Sequence, residues 1–238
     1  MLILDAHAHC GLTLTFERLN SIWKQGGIDG GVIFSPVEEI YDRVDPNFID
    51  SEKYKESRRK VHEYLRTLKD DNIYIYWFVW NDFMIPWNDF CGIKWHRHAS
   101  EPNYQYEKEE CKDLIEYICA NKLPVVLEEE FSNTIKLIDE FGGRTTTIIP
   151  HMGSLNGGYN KLKEKGIFEN PSVYVDTSLA SPFQIKDFAE DYGTDRMIFG
   201  SDYPFGDPID ECMKIKDIFS GEDLEKILAQ NILSLIKR

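Results

Sequence analysis

Apolar residues along the chain gather into eight short runs, at residues 2–9, 31–36, 73–80, 91–95, 125–129, 146–151, 173–178 and 196–202. Several are nearly continuous, as from Ile73 to Trp80, and rich in β-branched or aromatic side chains. Strands of a parallel sheet that is covered on both faces read this way. Between the runs lie stretches with helical periodicity, at 15–25, 52–69, 107–121, 133–141, 159–165, 183–192, 211–219 and 222–237. The first carries Phe16, Leu19, Ile22 and Trp23 on one stripe, and the second Val61, Tyr64, Leu65 and Leu68. Strand and helix in this alternation predict an α/β protein, a distorted (β/α)8 TIM barrel formed by a single domain over residues 1–238. An open doubly wound sheet shares the grammar and is the rival architecture. Two insertions, 37–52 after the second strand and 96–106 after the fourth, are expected as loops at the mouth.

Composition narrows the partners. With 27 basic and 41 acidic residues the formal charge is -14, a field that repels nucleic-acid backbones and anionic lipid surfaces. Mean hydropathy is -0.40. No apolar run is long enough to span a bilayer, and the Met1-Leu-Ile-Leu-Asp5 start lacks the basic flank of a signal peptide. Cys10, Cys91, Cys111, Cys119 and Cys212 form no CxxC pair and fit free thiols in a reducing compartment. The expectation is a cytoplasmic protein acting on a small molecule, with neither nucleic acid nor membrane as partner and a homodimer as the only assembly entertained.

The chemistry lies where the runs end. Asp5-Ala-His7-Ala-His9, Lys94-Trp-His96-Arg-His98, Glu128-Glu-Glu130, Pro150-His151, Asp176-Thr-Ser178 and Ser201-Asp202 all close strands on the C-terminal side. In a (β/α)8 barrel those ends converge on one pocket. Carboxylates and imidazoles brought together there are costly unless they are paired or hold a cation. Alternation along a strand puts Asp5, His7 and His9 on one face, so the two imidazoles can grip one ion. Lys94 and His96 likewise share a face and could meet an anionic or developing oxyanionic group of the substrate, as catalytic residues. Arg97 and His98 read equally well as a solvated basic loop. His62, in a charged helix, is expected at the surface. Trp77, Trp80, Trp87 and Trp95 either wall a pocket or pack the core.

The segments Asp5-Ala-His7-Ala-His9, Pro150-His151-Met152-Gly153 and Phe199-Gly200-Ser201-Asp202-Tyr203-Pro204 together resemble the amidohydrolase superfamily. They are most similar to its amidohydrolase-related branch, which includes 2-amino-3-carboxymuconate-semialdehyde decarboxylase-like enzymes. The closing Gln230-Asn231-Ile232 segment resembles that branch's terminal helix. The resemblance implies a divalent metal, Zn²⁺ first with Mn²⁺, Fe²⁺ or Ni²⁺ as alternatives, held by His7, His9, His151 and Asp202 with a further ligand after the fifth strand. Relatives usually carry His there; this chain offers Glu128, with Glu130 as competitor, unless the acidic pair merely opens a helix. Asp202 is the expected proton acceptor, and Asp5 a group that orients a ligand or caps backbone.

The activity implied is metal-dependent hydrolysis of an ester, lactone or amide, with decarboxylation of a small carboxylic acid as the alternative. A metal-dependent deoxyribonuclease on a related barrel is disfavoured by the charge and by Gly92-Ile-Lys94-Trp where a Gly-Glu-rich segment is expected. A non-enzymatic relative finds support only in the Glu128 departure.

Overall fold

The computed structural model describes residues 1–236. Eight parallel strands follow one another in chain order around the sheet. They are β1 (Leu4–His9), β2 (Gly30–Phe34), β3 (Ile73–Phe78), β4 (Gly92–His96), β5 (Val125–Glu128), β6 (Thr147–Ile149), β7 (Val173–Asp176) and β8 (Met197–Ile198). The ring closes because Ala6 N–H donates to Phe199 O (2.9 Å), Asp202 N–H to His7 O (2.7 Å) and His9 N–H to Tyr203 O (2.8 Å). The helices α1 (Phe16–Gly26), α2 (Glu52–Leu68), α3 (Glu109–Asn121), α4 (Phe131–Phe141), α5 (Tyr159–Glu164), α6 (Pro182–Tyr192) and α7 (Pro208–Ile218) form the outer layer. The chain is therefore a distorted (β/α)8 TIM barrel, not an open sheet.

Two distortions stand out. No helix covers the connection from β3 to β4, which runs as turns and bends. The last helical stretch is broken into α8 (Gly221–Glu225), a π-helical turn (Lys226–Gln230) and α9 (Asn231–Leu235). The expected helix extends to Lys237, which lies outside the described residues. Asn231 ties this segment to the base of the barrel, its amide donating to Thr194 O (2.8 Å) and Met197 O (2.7 Å).

Alternation divides the strand side chains between two apolar clusters. Leu4, Val32, Phe34, Tyr76, Val126, Ile148 and Ile198 pack together in one that Ile232 and Ile236 join. Ile33, Ile75, Ile93, Val125, Leu127 and Val175 belong to the other, with the helices. Gly92 is required by this layering, since a Cβ there would meet the Tyr76 ring at 2.3 Å.

The missing β3–β4 helix is answered by rings. His62 of α2 is 2% exposed, stacked on Trp77 at 3.7 Å and flanked by Phe90. This corrects the surface position expected from the charged helix: one side of α2 must cover β3 where no other helix does. Burial pushes the His62 pKa down to about 3, with Arg58 adding to the shift. The folded state thus holds His62 neutral while the unfolded chain protonates it below about 6.5. Its contribution is complete above pH 6.5 and is lost as pH falls toward 3. His62→Phe should therefore narrow the gap between urea midpoints at pH 7 and pH 4.5; an unchanged gap refutes this role.

Among the described residues no helix is long and apolar enough to cross a membrane. All five cysteines are free thiols, as the sequence suggested.

Candidate metal centre

The strand ends bring His7 and His9 (β1), Lys94 and His96 (β4), Glu128 (β5), His151 (after β6), Asp176 (β7) and Asp202 (after β8) into one buried cluster. His7 Nε2 lies 3.2 Å and His9 Nε2 3.4 Å from Asp202 Oδ1, and His151 Nε2 lies 3.8 Å from Asp202 Oδ2. On the other side His151 Nε2 is 3.5 Å from Glu128 Oε2. Donor atoms of His7, Glu128 and His151, and of His7, His9 and Asp202, fall within 4.8 Å of one another.

Each imidazole is turned inward by a partner on its far nitrogen. His7 Nδ1 meets Asp176 Oδ2 at 2.7 Å, His9 Nδ1 meets Ser35 O at 2.9 Å, and His151 Nδ1 meets Ser178 Oγ at 2.9 Å. A proton on each Nδ1 leaves each Nε2 lone pair facing the common space, which is how metal-binding imidazoles are oriented. Three such nitrogens with two carboxylates suit a borderline divalent ion such as Zn²⁺. Lys94 Nζ reaches the same space, 3.3 Å from His7 Nε2 and 2.8 Å from Glu128 Oε2. A metal ion there would take over His7 Nε2 and leave Lys94 its bond to Glu128.

Backbone geometry builds part of the site. His151 (φ 55°) and Asp202 (φ 57°) both adopt left-handed conformations. Such positions cost a non-glycine residue roughly 1–2 kcal/mol and are concentrated at functional sites. Gly200 lets the last strand approach β1, because a Cβ there would lie 2.7 Å from His7 Cβ.

The electrostatics are those of a tightly coupled buried cluster. Burial opposes ionisation of Glu128, but Lys94 and His96 overcome it and hold the carboxyl well below its usual range. Burial likewise opposes Asp202, and His7 and His9 keep it ionised far below that range. Burial lowers His9, and it pushes His96 down to about 4. At His151 burial also acts downward, yet Glu128 carries the pKa up to about 9.

One sequence expectation needs correction, and two groups of open candidates lie elsewhere than this centre. Asp5 does not share a face with His7 and His9. The β1–β2 register shifts between Asp5 and Ala8, so β1 carries an extra residue there, a bulge that breaks the alternation. Asp5 instead accepts Trp23 Nε1–H (2.9 Å) from α1 and Ser201 N–H (2.9 Å), which makes it a buried tie between elements. Its pKa is raised to about 6 by burial. Glu130 does not reach the centre, because β5 ends at Glu128 and Glu130 sits at the start of α4, 3.7 Å from Arg97. The tryptophans do not wall this site. Trp77 and Trp87 line a separate cavity of about 280 Å³ with His62, while Trp80 stacks on Tyr41 at 4.0 Å and Trp95 is fully buried.

Of the basic loop, Arg97 is buried and His98 partly exposed. Arg97 is buried on Glu129 at 2.7 Å, and His98 Nε2 lies 2.5 Å from Glu128 Oε1. Both insertions do reach the mouth. Tyr41 and Arg43 from the first meet Glu101 from the second at 2.7 and 2.6 Å. Asp176 was placed from sequence among the strand-end groups of the pocket but given no role there. Its only signal was a carboxylate at the end of an apolar strand.

No family model and no curated protein matches the chain. Solved structures do. A 2,6-dihydroxybenzoate decarboxylase from Rhizobium superposes with a TM-score of 0.71 at 14% identity, over 99% of this chain and 98% of that one. A Pseudomonas putida protein provisionally named as a 2-pyrone-4,6-dicarboxylic acid hydrolase gives 0.74 at 13% identity, over 98% and 97%. Amidohydrolase 2 from Bifidobacterium longum subsp. infantis gives 0.69 at 16% identity, over 100% of both chains. At such identities these likenesses establish the shared fold, the one that the resemblance of the strand-end motifs implied.

Proposed function

We propose that the protein is a metal-dependent enzyme of the amidohydrolase type that hydrolyses an ester, lactone or amide of a small organic substrate. The observation that carries this reading is the convergence of three imidazoles, each fixed from behind at Nδ1, on a space shared with Asp202 and Glu128. His7, His9 and His151 would hold one divalent ion, Zn²⁺ by the donor set, with Asp202 and Glu128 completing the shell. When bound, such an ion supplies Lewis-acid activation of water and of the substrate carbonyl.

The chain's own groups would do the rest. Asp202, ionised and facing the cavity, accepts the proton of the attacking water through a carboxylate oxygen and returns it to the leaving group. Lys94 holds Glu128 in place through its 2.8 Å contact. His96, whose Nε2 lies 3.1 Å from Glu128 Oε1, borders the cavity and faces the developing oxyanion. The cavity above these groups, lined by His9, Val37, Arg43, Leu179 and Phe205 among others, measures about 170 Å³ and fits a small substrate only.

A decarboxylase is the second reading. Arg43 and His98 line the same cavity and present cationic and hydrogen-bonding groups to a carboxylate. Turnover in H₂¹⁸O by the metal-loaded protein, run on panels of esters, lactones, amides and small aromatic acids, separates the two. Label in the product carboxylate is expected. Released CO₂ with no label in the organic product would replace the hydrolase reading by the lyase.

A further inference from the structure

A second cavity, of about 240 Å³, adjoins the one over the metal centre, and His9, Val37 and Phe205 line both. Phe205 marks the junction, the residue 63% exposed and its ring edge-on to His9 at 6.2 Å. Leu14, Pro36 and Pro204 form the remaining apolar wall, with Thr13 and Glu38 on the exposed side.

The chamber is built on fixed backbone and offers little polar recognition. Leu12 N–H and Thr13 N–H donate to the buried Glu39 carboxylate at 3.0 and 2.8 Å, which anchors the loop carrying Leu14. The Thr13 hydroxyl donates to the same carboxylate at 2.6 Å, so its proton is already committed. Among the described residues, Arg43 is the one lysine or arginine that lines either cavity. Its Nε and Nη2 lie 2.8 and 2.6 Å from Glu101 Oε1, and Nη1 lies 3.5 Å from Glu38 Oε1. Nη2 also donates to His98 Nδ1 at 3.2 Å, and with Nδ1 accepting, His98 turns Nε2–H toward Glu128. The guanidinium charge is thus answered within the chain by two carboxylates. An anionic arm entering the chamber would lose its hydration against Leu14, Pro36 and Pro204, beside the Glu38 carboxylate and with no unpaired cation to receive it.

We infer that the substrate is uncharged and has two parts: its reacting carbonyl lies over His9 and Asp202, and an apolar arm passes Phe205 into the chamber walled by Leu14, Pro36 and Pro204. Leu14 and Phe205 then determine specificity, because they set how long and how wide an arm the chamber accepts. Each methylene moved from water against such a wall strengthens binding roughly fourfold. The inference rests on the hydrolase reading and adds the substrate class to it, a neutral ester, lactone or amide with an apolar arm.

Straight-chain hydroxamates, which anchor on a divalent ion and whose chain stands for the arm, test this without turnover. Full-length protein loaded with Zn²⁺ is titrated by calorimetry with the series from acetohydroxamate to octanohydroxamate, and with the same chains ended by a carboxylate. Affinity should rise roughly fourfold per methylene until the chamber is full. The carboxylate-ended chains should bind about tenfold or more weakly than methyl-ended chains of equal length. Leu14→Trp, which fills the chamber, should flatten the series. Circular dichroism checks that this variant is folded, and the two wild-type series decide by themselves where it is not. Hydroxamates that bind with no gain along the wild-type series overturn the inference and leave the metal centre standing. So does the full gain kept in folded Leu14→Trp, or tighter binding of the carboxylate-ended chains. If no hydroxamate binds, the metal-dependent reading falls and the inference with it.

Discussion

Asp202→Asn is expected to lower turnover by about 10²-fold or more while leaving the fold intact, the range for loss of a positioned general base. The carboxylate lies within 3.4 Å of two inward-facing imidazole nitrogens, so it is where a proton leaving water would be received. The fold should survive because Asn tolerates the left-handed conformation that residue 202 adopts at φ 57°. The backbone bonds of residue 202 to His7 O (2.7 Å) and from Phe205 N–H (2.8 Å) do not involve its side chain. An amide can still reach an ion through its oxygen but cannot take a proton at neutral pH. The measurement is kcat on the best substrate from the panel, with metal content and circular dichroism as controls. Near-normal kcat would mean that another group is the base.

Asp176→Asn should weaken metal binding by about 10- to 100-fold, as removal of a supporting carboxylate does at other metal sites. This side chain positions two ligands together. Oδ2 accepts His7 Nδ1–H at 2.7 Å, and Oδ1 accepts His151 N–H at 3.0 Å and the Ser178 hydroxyl. Ser178 Oγ in turn meets His151 Nδ1 at 2.9 Å. An asparagine can turn its NH₂ toward His7 and favour the tautomer whose Nε2 carries a proton and binds no metal. Competition with a chromogenic chelator gives the Kd directly, without any substrate. A Kd equal to that of wild type would show that Asp176 serves stability alone.

The barrel was legible because parallel strands covered on both faces leave continuous apolar runs, and because loop-directed polar groups fall at their C-terminal ends. The same logic found His7, His9, Lys94, His96, Glu128, His151 and Asp202, which the fold does bring together. It failed where a local departure overrode periodicity. Period-two alternation assigned Asp5 to the face of His7, but the register shift in β1 uncouples them. It also left Glu130 open beside Glu128, because nothing local showed that the chain has already turned into α4 there.

Other misses arose from long-range contacts. His62 looks solvent-facing within Glu-, Lys- and Arg-rich α2, and only the missing β3–β4 helix explains its stack on Trp77. Asp176 supports residues 169 and 25 positions away along the chain, a relation no local pattern encodes. The joining of Tyr41, Arg43 and Glu101 across two loops is hidden for the same reason.

Anomalous diffraction from crystals grown with Zn²⁺ tests the metal centre most directly. Data collected above and below the zinc edge should show a peak within bonding distance, about 2 Å, of Nε2 of His7, His9 and His151 together. A zinc-loaded crystal with no peak there, or with any of these rings rotated so that Nε2 faces away, would contradict it.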